Sequence, residues 1–174
     1  VFIVKKIFAS ILATVAILTL AGCAAPSTIT VPASLSTPVA LDPTKLVHVT
    51  WVLKSYGDVK NMTLVIPTGK DINLTFKGTL DGFTGSDGVN DYGGPCHIGN
   101  DGNIATSSIT STQIGLSGGN AREILKQAQT YYDLLQQAKT LSVNDDELVI
   151  YCNNGQAMQF INSTHPPTVT KKSI

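Results

Sequence analysis

The chain is poor in the residues on which chemistry usually rests. Its 174 residues include three cysteines, three histidines and one tryptophan, and aromatic residues make up 6%. It has no basic cluster: Lys and Arg number 12, Asp and Glu number 12, and the formal net charge is zero. There is thus no surface on which phosphates would condense, and nucleic-acid binding is excluded. His48, His97 and His165 stand in no nucleophile motif with a serine or cysteine. Cys96 and His97 are neighbours, but consecutive residues of a strand face opposite sides, which makes a thiol–imidazole pair awkward. Gly118-Gly119 lacks the Lys-Ser or Lys-Thr that completes a phosphate loop. No pair of carboxylates stands out for hydrolysis. The expectation is a protein without catalytic residues, metal or cofactor.

What is present divides by composition. Residues 1–22 carry Lys5 and Lys6, then an apolar run from Ile7 to Leu20, then Leu20-Ala21-Gly22-Cys23. The run is shorter than the roughly 20 residues that span a hydrocarbon core, so it reads as a targeting signal. Small residues directly before a cysteine resemble the lipobox of prokaryotic lipoproteins. That resemblance implies cleavage before Cys23, acylation of its sulfur and anchorage to membrane lipid outside the cytoplasm. Residues 23–44 hold Pro26, Pro32, Pro38 and Pro43 among small polar residues and read as a tether. Residues 163–174 read as a frayed tail. An extracytoplasmic setting permits a disulfide. Cys96 and Cys152 are then either a bridged pair or two separate buried thiols.

The domain is expected over residues 45–162. A strand with Val47, Val49, Trp51 and Leu53 inward opens it, Gly57-Asp58 turns it, and Met62 to Ile66 follows. Asp71 to Leu80 alternates, with Ile72, Leu74 and Phe76 on one face. From Asp81 to Cys96 the glycines are too dense for a helix and imply a loop with positive φ or close chain approach. Asp81, Asp87, Asn90, Asp91, Asp101 and Asn103 offer oxygens for calcium, but their spacing is irregular and no glutamate closes the set. Hydrogen bonds to their own turns are the stronger reading, with Asn90 as a latch. Ile104 to Ile114 supplies one or two modest strands. A helix opens at Asn120, with Glu123 placed for a capping box. Ala121, Ile124, Leu125, Ala128, Tyr131, Tyr132, Leu135 and Ala138 form its apolar face. Leu141 and Val143 start a strand, and a hairpin from Leu148 to Ile161 turns at Asn154-Gly155. The fold class is α+β, one antiparallel sheet against one helix. Asn61, Asn73 and Asn162 begin Asn-x-Thr sequons, all expected near the surface.

Trp51-Val52-Leu53, the run Gly85-x-x-Gly88-x-Asn90-x-Tyr92-x-Gly94, Ser111-Thr112, a helix with Tyr131 and Leu134, and a last hairpin ending in Phe160 together resemble the META domain of HslJ-like envelope lipoproteins. The resemblance covers about residues 46–161. It implies a strongly bent antiparallel sheet partly wrapped around one helix, in a family without a firmly assigned activity. Trp51, Gly85, Gly88, Asn90, Tyr92, Gly94, Thr112 and Phe160 are its signature positions. Family members commonly carry cysteines where Val89 and Leu116 stand here, which implies that packing, or a bridge from Cys96 to Cys152, replaces that cross-link. The expected function is a tethered structural or interaction module with an envelope protein as partner. The alternatives are a binder of a small apolar ligand or peptide inside the bent sheet, lined by Tyr131 and Tyr132, and, less favoured, an envelope hydrolase.

Overall fold

The computed structural model describes residues 41–164. The signal segment, Cys23, the tether up to residue 40, His165 and the remaining tail lie outside them. The chain forms α1 (Pro43–Leu46), β1 (Trp51–Asp58), β2 (Asn61–Leu64), β3 (Ile72–Phe76), β4 (Gly82–Asp87), β5 (Asp91–Ile98), β6 (Ile104–Thr106), β7 (Thr110–Ser111), α2 (Ala121–Gln136), β8 (Ala138–Val143), β9 (Glu147–Cys152) and β10 (Gln156–Asn162). The strands follow the order β6-β5-β4-β3-β1-β10-β9-β8, with β2 on β1 and β7 on β5. The named strand pairs are all antiparallel. The two ends of this order meet. Asn103 bridges Thr140 and the Leu141 amide donates to the Gly102 carbonyl at 2.8 Å, while the Thr106 hydroxyl ties β6 to α2 through the Leu135 carbonyl at 2.6 Å. The result is the expected α+β architecture, a bent antiparallel sheet that nearly closes into a barrel with one main helix.

Alternation drives the sheet. Ile72, Leu74 and Phe76 are each at most 1% exposed, as their spacing predicts. Inward residues of β1, β9 and β10 join them: Trp51, Leu53, Leu148, Ile150, Met158 and Phe160. From the helix come Ala128, Tyr131, Leu134 and Leu135. Gln127 is also buried, and its amide clamps the main chain of Ile66: Oε1 accepts from Ile66 N at 2.7 Å and Nε2 donates to Ile66 O at 3.1 Å. The buried helix face is therefore centred on residues 127, 131, 134 and 135, rotated from the expected stripe, and Leu125 is left 44% exposed.

Several local expectations are corrected. Residues 41–44, expected in the tether, belong to the fold: Asp42 caps α1 through Thr44 N, and Leu41 N donates to Asn100 O. The first strand starts at Trp51 rather than near Val47, because His48 takes φ 60° and breaks the run. It continues through Gly57, and the turn falls at Val59-Lys60. Asn120 lies at the helix start, but its φ of −104° and ψ of 11° are not the extended geometry a side-chain cap needs, and it makes no such bond. Ala138 and Lys139 leave the helix for β8. The turn at Asn154 (φ 63°) and Gly155 (φ 71°) forms as its residues dictate.

The largest correction is the glycine-rich stretch. It is a hairpin, β4 and β5, in which Gly85 stands opposite Tyr92 and Phe83 opposite Gly94. Close approach explains its central glycine: a Cβ at Gly85 would lie 2.0 Å from the Asn73 carbonyl oxygen and 2.6 Å from the Tyr92 hydroxyl. Gly88, at φ +90°, makes the turn. Gly85→Ala should lower unfolding free energy by about 3 kcal/mol or more, the cost of overpacking against immobile backbone. Gly119→Ala, where a Cβ meets nothing within 4 Å, should shift it by about 0.5 kcal/mol at most. Urea denaturation of the two variants beside wild type checks both.

Candidate functional site

The hairpin signature converges on a buried polar cluster. At the β4 end, Asp87 is 1% exposed and its carboxylate is fully engaged. Oδ1 accepts from Val89 N at 2.7 Å and Asn90 N at 2.5 Å. Oδ2 accepts from the Tyr132 hydroxyl at 2.8 Å and Asn90 Nδ2 at 3.3 Å. A short acidic side chain directly before a glycine turn is placed to satisfy amides that the turn leaves unpaired.

Asn90 uses its other atom outward. Its Oδ1 accepts from Ile114 N at 2.7 Å and from the Thr112 hydroxyl at 3.2 Å. The segment after β7 is thereby tied to the hairpin, together with Thr112 N on Asp91 O. The latch expected of Asn90 is present. It serves where the resemblance places a cross-link, with Val89 and Leu116 both half-buried.

Tyr92 crosses above Gly85 and donates its hydroxyl proton to the Asn73 carbonyl at 2.8 Å. Its oxygen lies 2.6 Å from the Tyr131 hydroxyl. A phenol has one proton, so Tyr131 is the donor in that pair. The rings meet edge to face at 5.7 Å, Tyr92 and Tyr132 do so at 5.5 Å, and Phe160 closes on Tyr131 at 6.4 Å. Burial pushes the Tyr92 phenol well above its usual range, helped by the adjacent Tyr131. Burial does the same for Tyr131 and, with the hydrogen bond to Asp87, for Tyr132. All three remain neutral donors. Tyr131 and Tyr132 were expected on the helix's apolar face, with a ligand pocket as the alternative, and what pattern reading missed is that their hydroxyls bind the hairpin. Their adjacency on a helix with Tyr92 in the signature is the only hint the sequence holds.

The proposed calcium ligands are dispersed. Asp87 and Asn90 share one bonding network, and Asp101 and Asn103 share a separate one. Asp91 pairs with Lys70 at 2.5 Å, Asp81 accepts from Thr79, and Asp101 bonds Asn103 in the turn before β6. Among the described residues no group of three or more His, Cys, Asp or Glu could hold a metal ion. Trp51 is buried and donates to the Leu46 carbonyl at 3.3 Å. Of the sequons, Asn61 is exposed, Asn73 half-buried and Asn162 buried, so the expectation of three surface sites is corrected for the last.

Cys96 and Cys152 are two free, buried thiols. Cys96 lies on β5 and Cys152 on β9, with β6 and β8 between them where the sheet closes. Three strand steps of about 4.8 Å exceed the roughly 7 Å Cα separation a disulfide tolerates. Each sulfur instead approaches a carbonyl, Leu80 O at 3.6 Å and Leu134 O at 3.3 Å. Burial pushes both thiols up from 9.0 to about 11.

Two outcomes follow. Asp87→Ala strands two amides and a phenol and should cost about 3 kcal/mol or more, whereas Tyr131→Phe, which leaves Tyr92 its carbonyl, should cost about 1 kcal/mol; denaturation curves separate them. In the Cys23→Ala chain, a thiol reagent at pH 8 should find no reactive sulfur in the folded state and two after unfolding; a bridge would give none in either. Because the neutral thiol is favoured in the fold, this contribution to stability is complete below pH 9 and is lost as pH rises toward 11.

Comparison with known proteins agrees with this architecture. The META domain family model matches residues 44–165. An NMR structure of a protein from Burkholderia xenovorans superposes with a TM-score of 0.56 at 18% identity, covering 73% of this chain and 92% of that one. A second NMR structure gives 0.52 at 16% identity, covering 70% and 95%. A search of curated proteins finds no match. At such identities the solved structures speak for the fold alone, while the family model spans well over half of the sequence, and on that ground the chain belongs to the META domain family.

Proposed function

We propose that this protein is a membrane-tethered, extracytoplasmic META-domain lipoprotein that works as a structural or interaction module of the cell envelope, without catalysis. The observation that carries this reading is the full engagement of the polar groups around the β4–β5 hairpin. Asp87, Asn90, Tyr92, Tyr131 and Tyr132 each direct their polar atoms to the hairpin, the helix or the segment after β7. Among the described residues, no buried side-chain nitrogen or oxygen lacks a partner. A group committed to holding strands together is a poor acid, base or nucleophile, since use in a reaction would require breaking the fold around it. The targeting run ending in Leu20-Ala21-Gly22-Cys23 supplies the support for the tether.

A ligand inside the bent sheet is the weaker alternative. The space it would need is filled by Trp51, Phe76, Phe83, Tyr131 and Phe160, each at most 1% exposed. Recognition then belongs to the outer surface, with an envelope protein as partner. In cells given radiolabelled palmitate, the wild-type chain should take up label and Cys23→Ala should lose it. Equal incorporation in both would sink the tether. Crosslinking in native membranes should then capture a specific protein partner.

A further inference from the structure

The three sequons differ sharply in accessibility, and we propose that Asn61 accepts an N-linked glycan while Asn73 and Asn162 do not. Asn162 is 5% exposed. Its Nδ2 donates to Asp145 O at 2.8 Å, and its Oδ1 accepts from Thr164 N and the Thr164 hydroxyl at 2.9 and 2.7 Å. Asn73 lies inside the sheet, paired with Val52 on β1 and Ser86 on β4. Its Nδ2 donates to Asp71 O at 3.2 Å, and its carbonyl holds Tyr92. Neither can be drawn into a transferase without breaking those bonds.

Asn61 is exposed, as is Thr63, and it opens β2 immediately after the Val59-Lys60 turn. Among the described residues β2 pairs with β1 and with no other strand, so one of its edges is free to be lifted into an acceptor groove. The hairpin also exposes apolar side chains, Leu64 at 77% on β2 and Val59 at 48% in the turn before it, and an apolar strand edge invites pairing with another chain. A branched sugar at the hairpin tip obstructs that approach.

The substrate is an oligosaccharide carried on a lipid pyrophosphate. Asn61 Nδ2 bonds C1 of the first sugar as the bond from C1 to the pyrophosphate oxygen breaks, and the proton lost from the amide ends on the departing lipid pyrophosphate or in solvent, with no redox change. In the cell this rests on the export reading above; the acceptor geometry does not.

Two measurements test it. Purified, folded full-length chain is incubated with an oligosaccharyltransferase and lipid-linked oligosaccharide, and intact mass is read. One glycan should be added, lost in Asn61→Gln and kept in Asn73→Gln and Asn162→Gln. Addition that survives Asn61→Gln, or none on the folded chain while a peptide of residues 58–65 is modified, overturns the proposal. In protein isolated from its own membranes, the peptide holding Asn61 should carry sugar. An unmodified Asn61 there overturns the proposal even where palmitate labelling upholds export.

Discussion

One hydroxyl group sets the geometry of this domain. The Tyr92 phenol joins β5 to β3 through the Asn73 carbonyl and to the helix through Tyr131, and it can do so only because Gly85 leaves its path open. Three elements, β3, β5 and α2, are thereby fixed to one another at a single buried point. Hydrogen bonds in such a low-dielectric place are strong when complete and costly when broken. The sheet must bend to bring these parts together, and the bend is what lets β6 reach β8.

Next to this point stands Asp87, which does for the turn what Tyr92 does for the strands. It satisfies the amides of Val89 and Asn90 and receives the second helix tyrosine. In this chain the hairpin residues Asp87, Asn90 and Tyr92 hold a nearly closed sheet to its helix and to the segment after β7. A motif rich in Asp, Asn and Tyr invites a catalytic reading, yet here its polar atoms are spent on hydrogen bonds within the fold.

Much of the fold was legible because it rests on alternation. Ile72, Leu74 and Phe76 announce β3, and Asn154-Gly155 announces the last hairpin, since both signals are local. The β4–β5 hairpin was hidden because glycine in a strand normally weakens it. Only the contact between Gly85 and Asn73 on the preceding strand turns that weakness into a requirement. The rotation of the helix was hidden for a similar reason. Gln127 is polar and pattern reading places it outside, but the unpaired main chain of Ile66 draws it in. The separation of Cys96 and Cys152 depends on how many strands intervene at the seam, a quantity no pairwise spacing encodes. The resemblance to the META family is shown by the family model over residues 44–165, and the roles of Asn90 and Tyr92 come from their hydrogen bonds.

The position of β1 has its own consequence. The first strand of the domain lies between β3 and β10, and β10 is the last strand among the described residues. An emerging chain therefore has an open central seam until residue 162 is available, whatever its earlier hairpins have done. Non-local pairing of this kind delays closure until β10 is present. The barrel is therefore locked by a strand made about a hundred residues after the one it pairs with.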